Sequence, residues 1–139
     1  MMRKLSVVGL LTLSLMFATG CKSEGEKYAD DLLAKMKEFA DALSSVKDPA
    51  SSRTAATKIK SISDDLQKLA AKAPSIKGTQ AEGERLKKRM ETEIQPIQQT
   101  VMREAMRIGS NPSLQTPELM AAMQSIEGVG NTFSGMGKR

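Results

Sequence analysis

The chain has 139 residues, with 21 Lys and Arg against 16 Asp and Glu, ten Met, three Phe, one Tyr, one Cys and neither His nor Trp. This length suits a single domain of modest core. The missing histidine removes the commonest general base and the commonest zinc ligand together, and a lone cysteine excludes an internal disulfide.

In chain order the first feature is Met1–Cys21. Arg3 and Lys4 give a positive start, and Leu5 to Phe17 is uncharged and dominated by Leu, Val and Met. This is the layout of a secretory signal, residues 1–20, which predicts a short signal helix. Its apolar stretch falls short of the ~20 residues that a spanning helix needs. Ala18-Thr19-Gly20 then places small residues directly before Cys21. Small residues ending in cysteine at this place resemble the lipobox of bacterial lipoprotein precursors, with Ala18 where the family prefers Leu. The resemblance covers residues 1–21 only. It implies cleavage between Gly20 and Cys21, a diacylglycerol on the Cys21 sulfur, and often acylation of the new amino group. It also implies export and a lipid anchor in a bacterial membrane. In a Gram-negative cell, Lys22 after the cysteine favours the outer membrane, facing the periplasm. The plainer alternative is ordinary signal cleavage after Gly20, which leaves Cys21 as a free thiol in an oxidising compartment. Lipidation accounts for both the single cysteine and its position.

With the leader removed, Arg3 and Lys4 go too, leaving 19 basic residues against 16 acidic. The core has to come from aliphatic side chains, Ala and Met, with Phe39 the main aromatic candidate. Scarce Val and abundant Ala, Lys, Glu and Gln favour helix over sheet.

Cys21 and the polar residues to Lys27 form a short tether, which reaches at most about 20 Å. Ser23-x-x-Glu26 resembles a capping box, and the first helix is predicted over about 24–46. Tyr28, Leu32, Met36, Phe39, Leu43 and Val46 form its apolar stripe. Asp48-Pro49 starts a second helix, striped by Ala55, Ile59, Ile62, Leu66, Leu69 and Ala73, which Pro74 stops. The short connection predicts an antiparallel hairpin. Thr79-x-x-Glu82 opens a third helix, with Leu86, Met90, Ile94, Ile97, Val101, Ala105 and Ile108 inward. Pro96 lies inside that run and predicts a kink between Thr92 and Pro96. Gly109 suits a left-handed position past its end. Thr116-Pro117-Glu118 starts a short fourth helix over about 117–127, with Leu119, Met120, Met123 and Ile126 inward. Gly128, Gly130, Gly135 and Gly137 predict a frayed, flexible tail over 128–139. The fold expected is therefore an all-α antiparallel bundle over 28–127, with three main helices and a short fourth.

Catalytic residues are not apparent. Gly78 and Gly83 lack the strand and Lys-Ser/Thr of a phosphate-binding loop. The neighbouring acids Asp30-Asp31 and Asp64-Asp65 diverge on a helix. Asp31–Lys35, Asp64–Lys68 and Glu84–Lys88 have ion-pair spacing instead, as solvated helix faces do. The basic run Arg85-Leu86-Lys87-Lys88-Arg89 has no interleaved aromatics for bases, and Glu82, Glu84, Glu91 and Glu93 flank it. Nucleic acid is not an expected partner. Excess acid on the first helix and excess base on the second predict pairing within the bundle. Met102-x-x-x-Met106 and Met120-x-x-Met123 place thioethers on shared faces. Soft sulfur selects Cu(I), but methionine more commonly fills aliphatic cores or covers a partner surface. These features predict a non-enzymatic, membrane-anchored interaction or structural module with no cofactor. Its partners are the membrane and an envelope protein or polymer. Binding Cu(I) through the Met pairs, or carrying an apolar ligand between the helices, are the alternatives.

Overall fold

The computed structural model describes residues 22–136. The expected signal peptide, the Gly20–Cys21 cleavage point and the lipidation site therefore lie outside the described residues, as do the last three positions of the tail. What is described is all-α: α1 (Glu24–Ser44), α2 (Pro49–Lys72), α3 (Gln80–Gly109) and α4 (Pro117–Met136), with 3-10 turns at Ala73–Ser75 and Pro112–Leu114.

The helix starts follow from local chemistry. Ser23 Oγ accepts from the Glu26 amide at 3.2 Å, and Thr79 Oγ1 from the Glu82 amide at 3.2 Å. At α2 the box is reciprocal: the Ser51 amide donates to Asp48 Oδ1 at 2.7 Å, and the Asp48 amide to Ser51 Oγ at 3.0 Å. Thr116 caps α4, with Pro117 at its first position. Pro96 leaves α3 unbroken as a helix. Thr92 and Thr100 return their hydroxyls to the carbonyls of Lys88 and Pro96 on either side of it.

Helix ends depart from expectation. α1 stops at Ser44, although Val46 beyond it is fully buried. Gly109 is the last residue of α3, and no described glycine has positive φ. The end of α3 is closed instead by Gln115, whose Nε2 donates to the carbonyls of Ile108 and Gly109 at 3.2 and 2.9 Å. The largest departure is α4, which runs nine residues past the expected end, through Gly128 and Gly130 to Met136. Val129 is buried against the core, and apolar burial outweighs the weak helix propensity of the flanking glycines. A Cβ on Gly128 meets nothing within 4 Å. Gly128→Ala is therefore expected to raise stability by about 0.5–1 kcal/mol in urea titration. An unchanged midpoint would mean that this stretch is not helical in solution.

Packing joins α2 to α4, α1 to α3 and α1 to α2, whereas α3 and α4 share no comparable seam although they are consecutive. The main core gathers Leu43, Val46, Ile59, Ile62, Leu114 and Leu119. Ser52, wholly buried, ties α2 to the last connection by bonds of 2.8 Å to the Leu114 carbonyl and to Thr116 Oγ1. A second cluster joins Leu33 and Ala40 of α1 to Ile97 of α3. α1 thus has two packed faces rather than one stripe. Ala29, Leu33 and Ala40 are buried, while Tyr28, Leu32 and Met36 of the expected stripe are only half-buried. Gly25 lets α3 approach: a Cβ there would lie 2.8 Å from Leu86 Cδ1.

Candidate functional site

Because α3 and α4 do not close on each other, the bundle keeps an open apolar trough. A cavity of about 480 Å³ is lined by Met36 and Phe39 of α1, Leu66 of α2, Val101 of α3 and Ile126 and Val129 of α4. Phe39 and Leu66 are buried in its floor, whereas Met102, also a lining residue, is exposed at its rim. Leu32 belongs to this cavity and to a second of about 370 Å³, at the end of the bundle where α1 begins. Tyr28, Ile76, Leu86, Lys87 and Met90 line that second space. Between Gly25 and Phe39, α1 supplies about 21 Å of lining, at 1.5 Å per residue. Sequence reasoning found the side chains of α1 that face the trough, but took them for core.

The methionines do not fill the core as their helical spacing suggested. Met102 is 60% exposed, Met106 67% and Met120 46%. Met123 alone of the four packs against the main core. The Met120–Met123 pair is therefore split between surface and interior, while Met102 and Met106 stay together on the exposed side of α3. Met102 and Met106 miss the core because α4 is seated on α2, which leaves the outer flank of α3 without a partner. Among the described residues, no group of three or more His, Cys, Asp or Glu side chains is placed to hold a metal. No described helix is long and apolar enough to cross a membrane.

Charge pairing combines contacts between helices with contacts three or four residues apart within one helix. Arg85 reaches Glu26 at 2.7 Å, and Arg89 reaches Asp30 at 2.6 Å and the flanking Glu93 at 2.9 Å, so the basic run of α3 is neutralised by acids of α1 as well as by one of its own. Of the expected four-residue pairs, Asp31–Lys35, Asp64–Lys68 and Glu84–Lys88, none forms among the described residues; Lys35 bonds Glu38 and Asp65 instead. Pairing within the bundle thus joins α1 to α3 through Arg85 and Arg89, and α1 to α2 through Lys35 and Asp65. Lys87 and Lys88 have no ion pair among the described residues. At the far end, Arg107 donates to the Leu43 carbonyl at 3.2 Å and is itself held by Glu104 at 2.7 Å.

Hydrogen bonds from Lys22 and Arg89 hold the Asp30 carboxyl below its ordinary range, and a hydrogen bond from Lys35 does the same for Asp65. Arg107 likewise lowers Glu104. Burial raises the Tyr28 phenol beside the trough. A carboxylate whose folded pKa is depressed contributes stability that is complete above its unfolded value near ~4 and is lost as pH falls through the folded one. The melting temperature is thus expected to be level from about pH 7 to about 5 and to fall below about 4. Asp30→Asn should remove part of that fall. A level profile down to the most acidic buffer would argue against the α1–α3 ion-pair seam.

Comparison of the chain with protein families, with curated proteins and with solved structures finds no match in any of the three.

Proposed function

We propose that the protein is a lipid-anchored component of a bacterial cell envelope, whose helical domain is a non-enzymatic interaction module that uses the apolar trough as its binding face. The observation that carries the reading is the open trough itself, about 480 Å³ with an almost wholly apolar lining, whereas the space of about 550 Å³ in the α1–α3 seam is rimmed by Lys37, Asp41, Thr92 and Glu93. Ligand sites are typically concave, apolar and about 300–1,000 Å³. The sequence supports the anchor, through a signal-like leader ending at the single cysteine and a tether that keeps the domain within about 20 Å of the bilayer. Absence of histidine and of a catalytic carboxylate pair favours recognition over catalysis.

The test is a photo-crosslinking amino acid placed at Val101, inside the trough, and at Lys58, on the exposed side of α2, in growing cells. Adducts formed from position 101 and not from position 58 support the reading, whether the captured species is a protein, a lipid or a polymer. Equal or absent adducts from both positions would overturn the trough as the binding face.

A further inference from the structure

We propose that the trough takes a single-chain fatty acid, with its carboxylate on Lys87 and its acyl chain running past Leu32 towards Phe39. The proposal deepens the interaction-module reading and rests on the trough being its binding face. Three observations converge on this guest. Leu32 lines both cavities, so their lining side chains succeed one another along one side of α1 for about 21 Å. One leaflet of a bilayer's hydrocarbon core is about 15 Å deep, half of the usual 30 Å, so an acyl chain fits this length with room for its head. The lining is apolar throughout the inner cavity, apart from Gln98 at its edge.

Charge selects the head group. Among the described residues, Lys87 is the only cationic side chain lining either cavity, and it carries no ion pair there. The neighbouring arginines are already committed, Arg85 to Glu26 and Arg89 to Asp30 and Glu93. Forked arginines give a phosphate its bidentate contacts, and both arginines beside this cavity are already paired, which leaves a single point charge. One flexible ammonium on an apolar stem matches one carboxylate, with the stem lying along the cavity wall. Glu82 is the opposing group: its Oε1 is buried without a hydrogen-bond partner, 3.5 Å from where a Cβ on Gly25 would stand, and Gly25 lines the same cavity as Lys87. The cavity also lies at the end of α1 that follows the expected lipid anchor, the end closest to a bilayer source of fatty acid.

The protein carries its own reporter. Tyr28 is the only tyrosine, there is no tryptophan, and Tyr28 lines the cavity that contains Lys87. The full chain in phosphatidylcholine vesicles is titrated with dibromo-octadecanoate, whose bromines quench tyrosine fluorescence on contact, and in parallel with its uncharged methyl ester. Saturable quenching by the acid, at least tenfold tighter than by the ester, is expected. Lys87→Glu should weaken acid binding by tenfold or more, and Glu82→Gln should tighten it several-fold. Lys87 is solvent-exposed, and helical circular dichroism verifies that each variant is folded. Equal binding of acid and ester, or an unmoved affinity in folded Lys87→Glu, would overturn the carboxylate assignment while leaving the trough as a binding face. Tighter binding of a brominated lysophosphatidic acid than of the fatty acid would also overturn it. Non-saturable quenching in every arm would overturn the fatty-acid guest. The crosslinking contrast between positions 101 and 58 is read independently and decides the broader reading.

Discussion

Ile59→Ala is expected to lower the unfolding free energy by about 3 kcal/mol, within the ~2–5 kcal/mol seen for large aliphatic truncations in packed cores. Ile59 has no exposed surface and belongs to α2, the helix that packs on both α1 and α4. Removing its outer carbons leaves a hole among side chains fixed from two directions, so little of the space can collapse. The loss is a large share of the ~5–15 kcal/mol that holds a typical domain together. Equilibrium urea unfolding followed by circular dichroism measures it, with the slope expected to stay unchanged. Met102→Ala is the control: it is exposed at the trough rim and should stay within about 0.5 kcal/mol of the parent. A loss below 1 kcal/mol for Ile59→Ala would mean that the α1–α2–α4 core is looser than its burial indicates.

Cys21→Ala is expected to abolish acyl labelling completely. The resemblance of Ala18-Thr19-Gly20-Cys21 to a lipobox makes this sulfur the acceptor, and the chain has no second cysteine to substitute for it. A single acyl chain binds membranes only marginally, whereas two or more hold a protein stably, so the diacylglyceryl group is what fixes the parent. Cells fed an alkyne-bearing palmitate should label the parent and not the variant. Fractionation alone is the weaker readout. An uncut apolar leader still clings to membrane, and ordinary signal cleavage after Gly20 releases the domain. Labelling that persists in Cys21→Ala would sink the anchor, and with it the expected location.

Much of the fold was legible because helix starts are written locally. Ser23, Asp48-Pro49, Thr79 and Thr116-Pro117 each satisfy or remove donors within four residues of themselves, and all four stand where the sequence placed them. The ends were harder, because they depend on distant partners. Gln115 closes α3, and burial of Val129 keeps α4 helical through two glycines. The trough was invisible for a related reason. Tyr28, Leu32 and Met36 have core-like spacing, and only the seating of α3 through Leu33, Ala40 and Ile97 turns them towards open space. Small residues such as Ala29 and Ala40 carried that signal, and apolar periodicity gives them little weight. The ion pairs were legible only in part: Arg89 keeps the flanking Glu93, but Arg85 and Arg89 also find acids 59 positions away.

The bond between Ser52 and the Leu114 carbonyl closes a span of 62 positions, and the helix that follows supplies one wall of the trough. Loop-closure entropy makes such long-range docking slow relative to the α1–α2 hairpin, whose partners are neighbours in the chain. α4 also follows the other three described helices in the chain. A form in which α4 has not yet docked leaves Phe39 and Leu66 without that wall of the trough.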